Sequence, residues 1–157
     1  MTLMPSGKGK VNWKRIALTS HELSQTVHEI EDVSMGHPEV KFAMANPCFE
    51  FPENYQLTPV DKTFLGCRGG TAEAVITPEG FLIPCALLRD FLAGNVKNES
   101  VNLLWTREIF ESLRNRPARV RGKCRSCASM EICMGGCPAS AYNLEGDLYA
   151  SDPMCPK

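Results

Sequence analysis

The sequence predicts an α+β fold in two unequal parts: a short helix-strand unit, then a loop-rich stretch built on one β-hairpin and one helix. Three observations carry this expectation. Apolar residues recur at helical spacing in TSHELSQTVHEIED and give way to a short apolar run, VKFAMA. β-Branched and aromatic residues alternate on both sides of Pro78-Glu79-Gly80. All but one of the eight cysteines lie beyond residue 66, where little else offers a core.

The elements follow in order. Residues 1–18 hold a Gly-rich turn, PSGKGK, and a short alternating stretch, VNWKRIAL. Thr19 with Glu22 three places on forms a capping box, and Leu23, Val27 and Ile30 continue at helical spacing, so a helix is expected from about 20 to 33. Gly36-His37-Pro38 stops it, and residues 40–45 read as a strand that ends before Asn46-Pro47. One helix and one strand cannot cover their own apolar faces. Residues 1–50 therefore read as the remnant of a partial α/β barrel or larger sheet, and residues 51–157 as a separate cysteine-bearing domain. Residues 49–66 carry two prolines and mixed polarity, as a connecting loop would. The hairpin then sets Cys67 and Cys85 on its flanks, with Gly80 supplying the positive φ of the turn and Gly94-Asn95 as punctuation beyond it. In SVNLLWTREIFESLR, Leu104, Trp105, Ile109, Phe110 and Leu113 line the inner face of a helix of about twelve residues. From Arg116 onward no period survives, and something other than hydrophobic burial must hold the chain.

Composition narrows the function classes. A chain of 157 residues allows one domain with a core, or a small domain carrying part of another. Hydrophobic residues at 43% and charged residues at 22% exclude a disordered or fibrous chain. A net charge of -1 gives no global attraction to nucleic acid or an anionic membrane, and neither is expected as a partner. The longest apolar runs, such as FLIPCALL, fall far short of a membrane span. The opening residues lack the apolar core of a secretory signal, so a cytoplasmic location is expected. In that reducing compartment, cysteines are thiolates awaiting a metal rather than disulfides.

The densest motif is CRSCASMEICMGGCP, in which Cys124, Cys127, Cys133 and Cys137 follow a C-x2-C-x5-C-x3-C spacing and Pro138 closes the run. Four thiolates suit structural zinc and iron-sulfur clusters equally. The Cys-Pro ending favours iron-sulfur. In two-cluster ferredoxins the last cysteine of a C-x2-C-x2-C-x3-C-P run serves the other cluster. Two four-cysteine clusters need eight ligands, which is the whole inventory: Cys48, Cys67, Cys85, Cys124, Cys127, Cys133, Cys137 and Cys155. Gly69-Gly70 and Gly135-Gly136, each beside a cysteine, would let backbone pass close to a bulky cofactor. A zinc-binding interaction module and a CxxC redox dithiol are the competing classes, the latter lacking the βαβ setting such a motif wants.

The spacing from Cys67 through Gly80 and Cys85, then Cys124-x2-Cys127-x5-Cys133-x3-Cys137, and finally Cys155, resembles the seven-cysteine signature of the SPASM domain of radical S-adenosylmethionine (SAM) enzymes. The resemblance runs from residue 67 to 155 and includes GFLIPC, GNV, the Trp-containing helix, CMGGCP and DPMC. Upstream, LMPSGKGK and the helix-strand unit are similar to the end of the catalytic partial barrel of those enzymes. The resemblance implies two auxiliary 4Fe-4S clusters. One would take Cys124, Cys127, Cys133 and Cys155; the other Cys67, Cys85 and Cys137, with Cys48 as fourth ligand or with one iron left open. It further implies a parent enzyme that modifies peptides or builds a peptide-derived or tetrapyrrole cofactor. Its clusters would relay electrons or hold substrate, and the expected partners are the missing barrel half, a peptide substrate and a flavodoxin- or ferredoxin-like electron donor. The family's C-x3-C-x2-C triplet for the SAM-cleaving cluster occurs nowhere in these residues, so SAM belongs to the parent enzyme.

Other polar residues attract blander expectations. RNRPARVRGKCR, with six cations in twelve positions, reads first as a solvated loop, then as counter-charge to a thiolate cluster or a docking patch for an acidic donor. His21, His28 and His37 stand at no metal spacing from the cysteines and read as surface residues. Glu73, Glu79, Asp90 and Asp147 form no paired arrangement, and no catalytic base is assigned.

Overall fold

The computed structural model describes residues 5–39 and 66–155. The strand expected over 40–45, nearly all of the connecting loop and Cys48 lie outside the described residues. Within them the fold is α+β, many short helices around a small antiparallel sheet. No helix among the described residues is long and apolar enough to cross a membrane.

The regular structure of the N-terminal part is helical where described. VNWKRIAL does not alternate as expected but coils into two single turns, α1 (Lys8–Val11) and α2 (Trp13–Ile16). The capping box then opens α3 (Ser20–Gly36): the Thr19 hydroxyl accepts from the Glu22 amide at 3.2 Å, and the Glu22 carboxylate accepts from the Thr19 amide at 2.8 Å. The helix runs three residues past the expected end, to Gly36 itself.

The hairpin forms as expected. In β1 (Val75–Ile76) and β2 (Phe81–Ile83), Val75 faces Ile83 and Ile76 faces Leu82. The turn between them closes with the Gly80 amide on the Thr77 carbonyl at 2.9 Å, Pro78 and Glu79 at its corners. Gly94-Asn95 is not mere punctuation: it pairs with β2 as a third strand, β3 (Gly94–Asn95), so the order is β1-β2-β3. The single helix expected next is two, α4 (Val101–Trp105) and α5 (Glu108–Arg114). Thr106 is the reason, since its hydroxyl donates back to the Leu103 carbonyl at 2.8 Å and offers the backbone an exit.

Two apolar clusters result. Leu82, Leu104 and Phe110 pack together under the sheet, with Trp105 and Ile109 at the margin. Leu88, Leu113 and Ala139 form the second, which Cys85, Cys137, Phe91 and Tyr142 border. Full burial of each large side chain here contributes about 2 kcal/mol.

Beyond Arg114 the chain is not structureless, as the lost period suggested. It makes α6 (Arg116–Arg119), a 3-10 helix (Gly122–Ser126), α7 (Met130–Cys133) and α8 (Pro138–Glu145). All but the last are about one turn long and bury little apolar surface. A buried cation holds them. Arg116, expected in a solvated loop, is only 2% exposed. Its guanidinium donates to the carbonyls of Leu148 (2.6 Å) and Ala150 (2.9 Å) on one side and Gly135 (2.9 Å) on the other. Gly135 must be glycine for this, because at φ +85° a Cβ would lie 2.8 Å from the Arg116 Nη1.

Replacing Arg116 with Ala should strand those carbonyls and lower stability by about 3 kcal/mol in urea unfolding. Lys at this position should not restore it, since a point charge cannot reach both walls of the cage. Wild-type stability in either variant would contradict this account of the segment.

Candidate metal centre

The described cysteines fall into two neighbourhoods, and none of the seven is in a disulfide. The first brings together residues far apart in sequence. Cys67 heads the loop into the hairpin, Cys85 follows β2, and Cys137 is the N-cap of α8 with Pro138 at the helix's first position. That placement explains the Cys-Pro pair locally, because proline is pre-set for a first turn and needs no amide there. Burial pushes the Cys67 thiol up to about 11, and the neighbouring Cys137 adds to the effect. The Gly69 amide opposes it, and Cys85 and Arg116 act weakly in opposite senses. Burial also raises Cys85, against the pull of the Leu87 amide, which donates to its sulfur at 3.5 Å. The three sulfurs thus sense one another in a partly dry recess, with backbone N–H groups aimed at two of them.

Packing explains the convergence. Gly66, at φ +72°, lies against Met134 so closely that a Cβ would sit 2.5 Å from that side chain's Cβ, which presses the Cys67 loop onto the Cys133–Cys137 turn. Arg114 ties the same loop to the helices: it donates to the Gly70 carbonyl at 3.1 Å and the Trp105 carbonyl at 2.8 Å and stacks on the Trp105 ring at 4.8 Å. Beside Cys67 lies a cavity of about 260 Å³, bordered by Gly69, Arg114, Arg116, Met134 and Pro138. Of the expected glycine approaches, Gly69 does face this space, whereas Gly135 serves Arg116.

The second neighbourhood is Cys124 in the 3-10 helix, Cys127 just after it, Cys133 closing α7, and Cys155. Cys133 and Cys155 pack together in the interior. Cys155 arrives there on a C-terminal strap laid along residues 121–124. The Arg121 amide donates to the Tyr149 carbonyl at 2.8 Å, Ser151 Oγ accepts from the Cys124 amide at 3.2 Å, and Lys123 Nζ donates to the Cys155 carbonyl at 2.9 Å.

Among the described residues, no three His, Cys, Asp or Glu side chains converge tightly enough to enclose a single metal ion. The donor set itself is all thiol, a chemistry that suits zinc and iron-sulfur groups alike. The eighth candidate, Cys48, lies outside the described residues.

The other polar residues play structural parts. His28 pairs with Glu31 and His37 with Glu39 on the surface. Glu73 and Asp147 pair with Arg68 and Arg121, and the Thr77 hydroxyl holds the Glu79 carboxyl below its usual range. Sequence reasoning passed over the buried Ser140 and Asp152 and read Arg116 as part of a solvated loop. For Asp152 a signal existed, an Asp-Pro pair three residues ahead of a cysteine, which is a turn signature.

Comparison with known proteins agrees with this donor chemistry. Residues 67–128 match the family described as SPASM, an iron-sulfur cluster-binding domain. An AdoMet-dependent heme synthase of Methanosarcina barkeri is 36% identical over 91 residues, which cover 57% of this chain and 25% of that protein. An AdoMet-dependent heme synthase of Nitratidesulfovibrio vulgaris is 35% identical over 105 residues, 66% of this chain and 27% of that protein. A PqqA peptide cyclase of Methylocella silvestris is 34% identical over 96 residues, 57% of this chain and 25% of that protein. The chain thus spans about a quarter of the length of these relatives. Over residues 67–128 the chain is therefore similar to the SPASM family of iron-sulfur cluster-binding domains.

Proposed function

We propose that the chain holds two auxiliary 4Fe-4S clusters in the service of a radical SAM enzyme that modifies a peptide or builds a tetrapyrrole or peptide-derived cofactor. The supporting observation is the crossing of ligands: Cys137 leaves its sequence neighbours and approaches Cys67 and Cys85, while Cys133 keeps company with Cys155. On this reading Cys67, Cys85 and Cys137 hold one cluster, with Cys48 or an open iron completing it. Cys124, Cys127, Cys133 and Cys155 hold the other. When bound, such clusters supply one-electron transfer. The chain's own residues do the rest. The Gly69 and Leu87 amides steady the charge on Cys67 and Cys85, Arg116 fixes the turn between Cys133 and Cys137, and the strap delivers Cys155.

The same reading takes residues 1–50 as the end of a partial α/β barrel and residues 51–157 as the cluster domain, working in the reducing cytoplasm. The barrel's other part is the principal partner; a peptide and a flavodoxin- or ferredoxin-like donor are the transient ones. The relatives' names, AdoMet-dependent heme synthase and PqqA peptide cyclase, bracket the reaction classes.

Anaerobic reconstitution should load about eight irons per chain with matching sulfide. One or two zincs, no sulfide and a colourless protein would replace this reading with that of a structural zinc module. The ligand sets can be separated in the same assay. Cys127→Ala should remove one cluster's spectrum and spare the other, and Cys137→Ala should remove the cluster of Cys67 and Cys85. If Cys137→Ala instead removed the Cys124-Cys127-Cys133 cluster, the crossing would be wrong. With no C-x3-C-x2-C triplet in its 157 residues, the loaded chain should release no 5′-deoxyadenosine from SAM and reductant. Turnover above a no-protein control would refute that.

A further inference from the structure

Asp152 is completely buried and sits between the two cysteine neighbourhoods. One carboxylate oxygen, Oδ2, accepts from the Cys137 amide at 2.8 Å. The other, Oδ1, accepts from the Met154 amide at 2.9 Å, and the Asp152 carbonyl accepts from the Cys155 amide at 3.1 Å. Asp152-Pro153-Met154-Cys155 is thus a turn closed twice, by a side-chain bond and by a backbone bond, with proline at the corner that its fixed φ suits. A single carboxylate holds the backbone of Cys137, from the first neighbourhood, against the turn that presents Cys155 to the second.

We propose that Asp152 is a positioning residue shared by both cysteine sites, setting the placement of Cys137 and Cys155 together and lending both sites the field of one buried anion. The proposal rests on the two-cluster reading above. Its chemistry is specific to a carboxylate. Both amides need an acceptor, and both carboxylate oxygens are acceptors. Asparagine has nearly the same shape but only one acceptor; its NH2 would face the second amide and push it away. Alanine would leave two buried donors without this partner. A buried negative charge beside a redox group also opposes electron uptake, so removing it should make reduction easier.

The test compares the reconstituted wild-type chain with Asp152→Ala and Asp152→Asn. Asp152→Ala should lose iron and sulfide from both sites, falling below half of the wild-type content, although it removes no thiol; Cys127→Ala and Cys137→Ala each cost one site. Asp152→Asn, chosen because it keeps the side-chain volume, should retain the far-UV spectrum. It should load at least partly, and its remaining clusters should show midpoint potentials shifted to more positive values. A purely structural role would not move the potentials. Full loading of both variants with unchanged potentials would overturn the proposal while leaving the two-cluster reading intact. So would loss confined to one site. A wild-type chain that takes up no iron and sulfide would overturn both.

Discussion

The buried guanidinium of Arg116 is the interaction on which the second half of this domain depends. Residues 116–155 contribute few large apolar side chains to the interior: Val120 and the small residues of α8, beside three cysteines. Short one-turn helices cannot hold themselves together, because each fixes several dihedrals for one or two hydrogen bonds. Arg116 substitutes for the missing core by collecting carbonyls from two separate stretches, 134–136 and 148–150, onto one rigid planar fork. A cation is suited to this task, since every backbone group it binds is an acceptor. Asp152 is its complement in the same region: an anion that collects amides. The polar frame of the domain is a division of backbone donors and acceptors between two buried charges.

That frame explains which parts of the protein were readable in advance. Elements whose signals are local came through. The Thr19-Glu22 box and the Pro78-Glu79-Gly80 turn depend on residues within four positions of each other, and both appear where expected. The likeness to an iron-sulfur domain was readable for a similar reason: the spacing between cysteines is written along the chain. What escaped was long-range and polar. Nothing near Arg116 in sequence distinguishes it from Arg119 or Arg121, which stack on Tyr149 at the surface. Its burial is decided by carbonyls up to 34 positions away. Likewise Gly94-Asn95 has the composition of a turn and becomes a strand only because β2 offers it an open edge.

The arrangement of the apolar core also bears on the thiols. Cys85 and Cys137 line the cluster formed by Leu88, Leu113 and Ala139, so the hydrophobic core ends at sulfur atoms rather than at solvent. Sulfur is soft and tolerates such a position as a neutral thiol. Ionising it there without a cation is unfavourable, and this is why burial dominates the upward shift at Cys67 and Cys85.

Loading of these thiols with metal would therefore be part of folding rather than an addition to it. Near neutral pH, the metal-free fold holds the Cys67 proton, with a pKa of about 11, more tightly than an unfolded chain would. That preference stabilises the metal-free fold below the ordinary thiol pKa and is lost as pH rises toward 11, because there the unfolded chain has already released its proton. Any cationic group held there would have to displace that proton and add to the partial compensation that Arg116 already gives Cys67. The polar frame needs no sulfur. Arg116 and Asp152 keep the Cys133–Cys137 turn and the Cys155 strap in register by bonds that involve no sulfur. A segment with almost no other core thus keeps its cysteines in place by bonds between two buried side chains and the backbone.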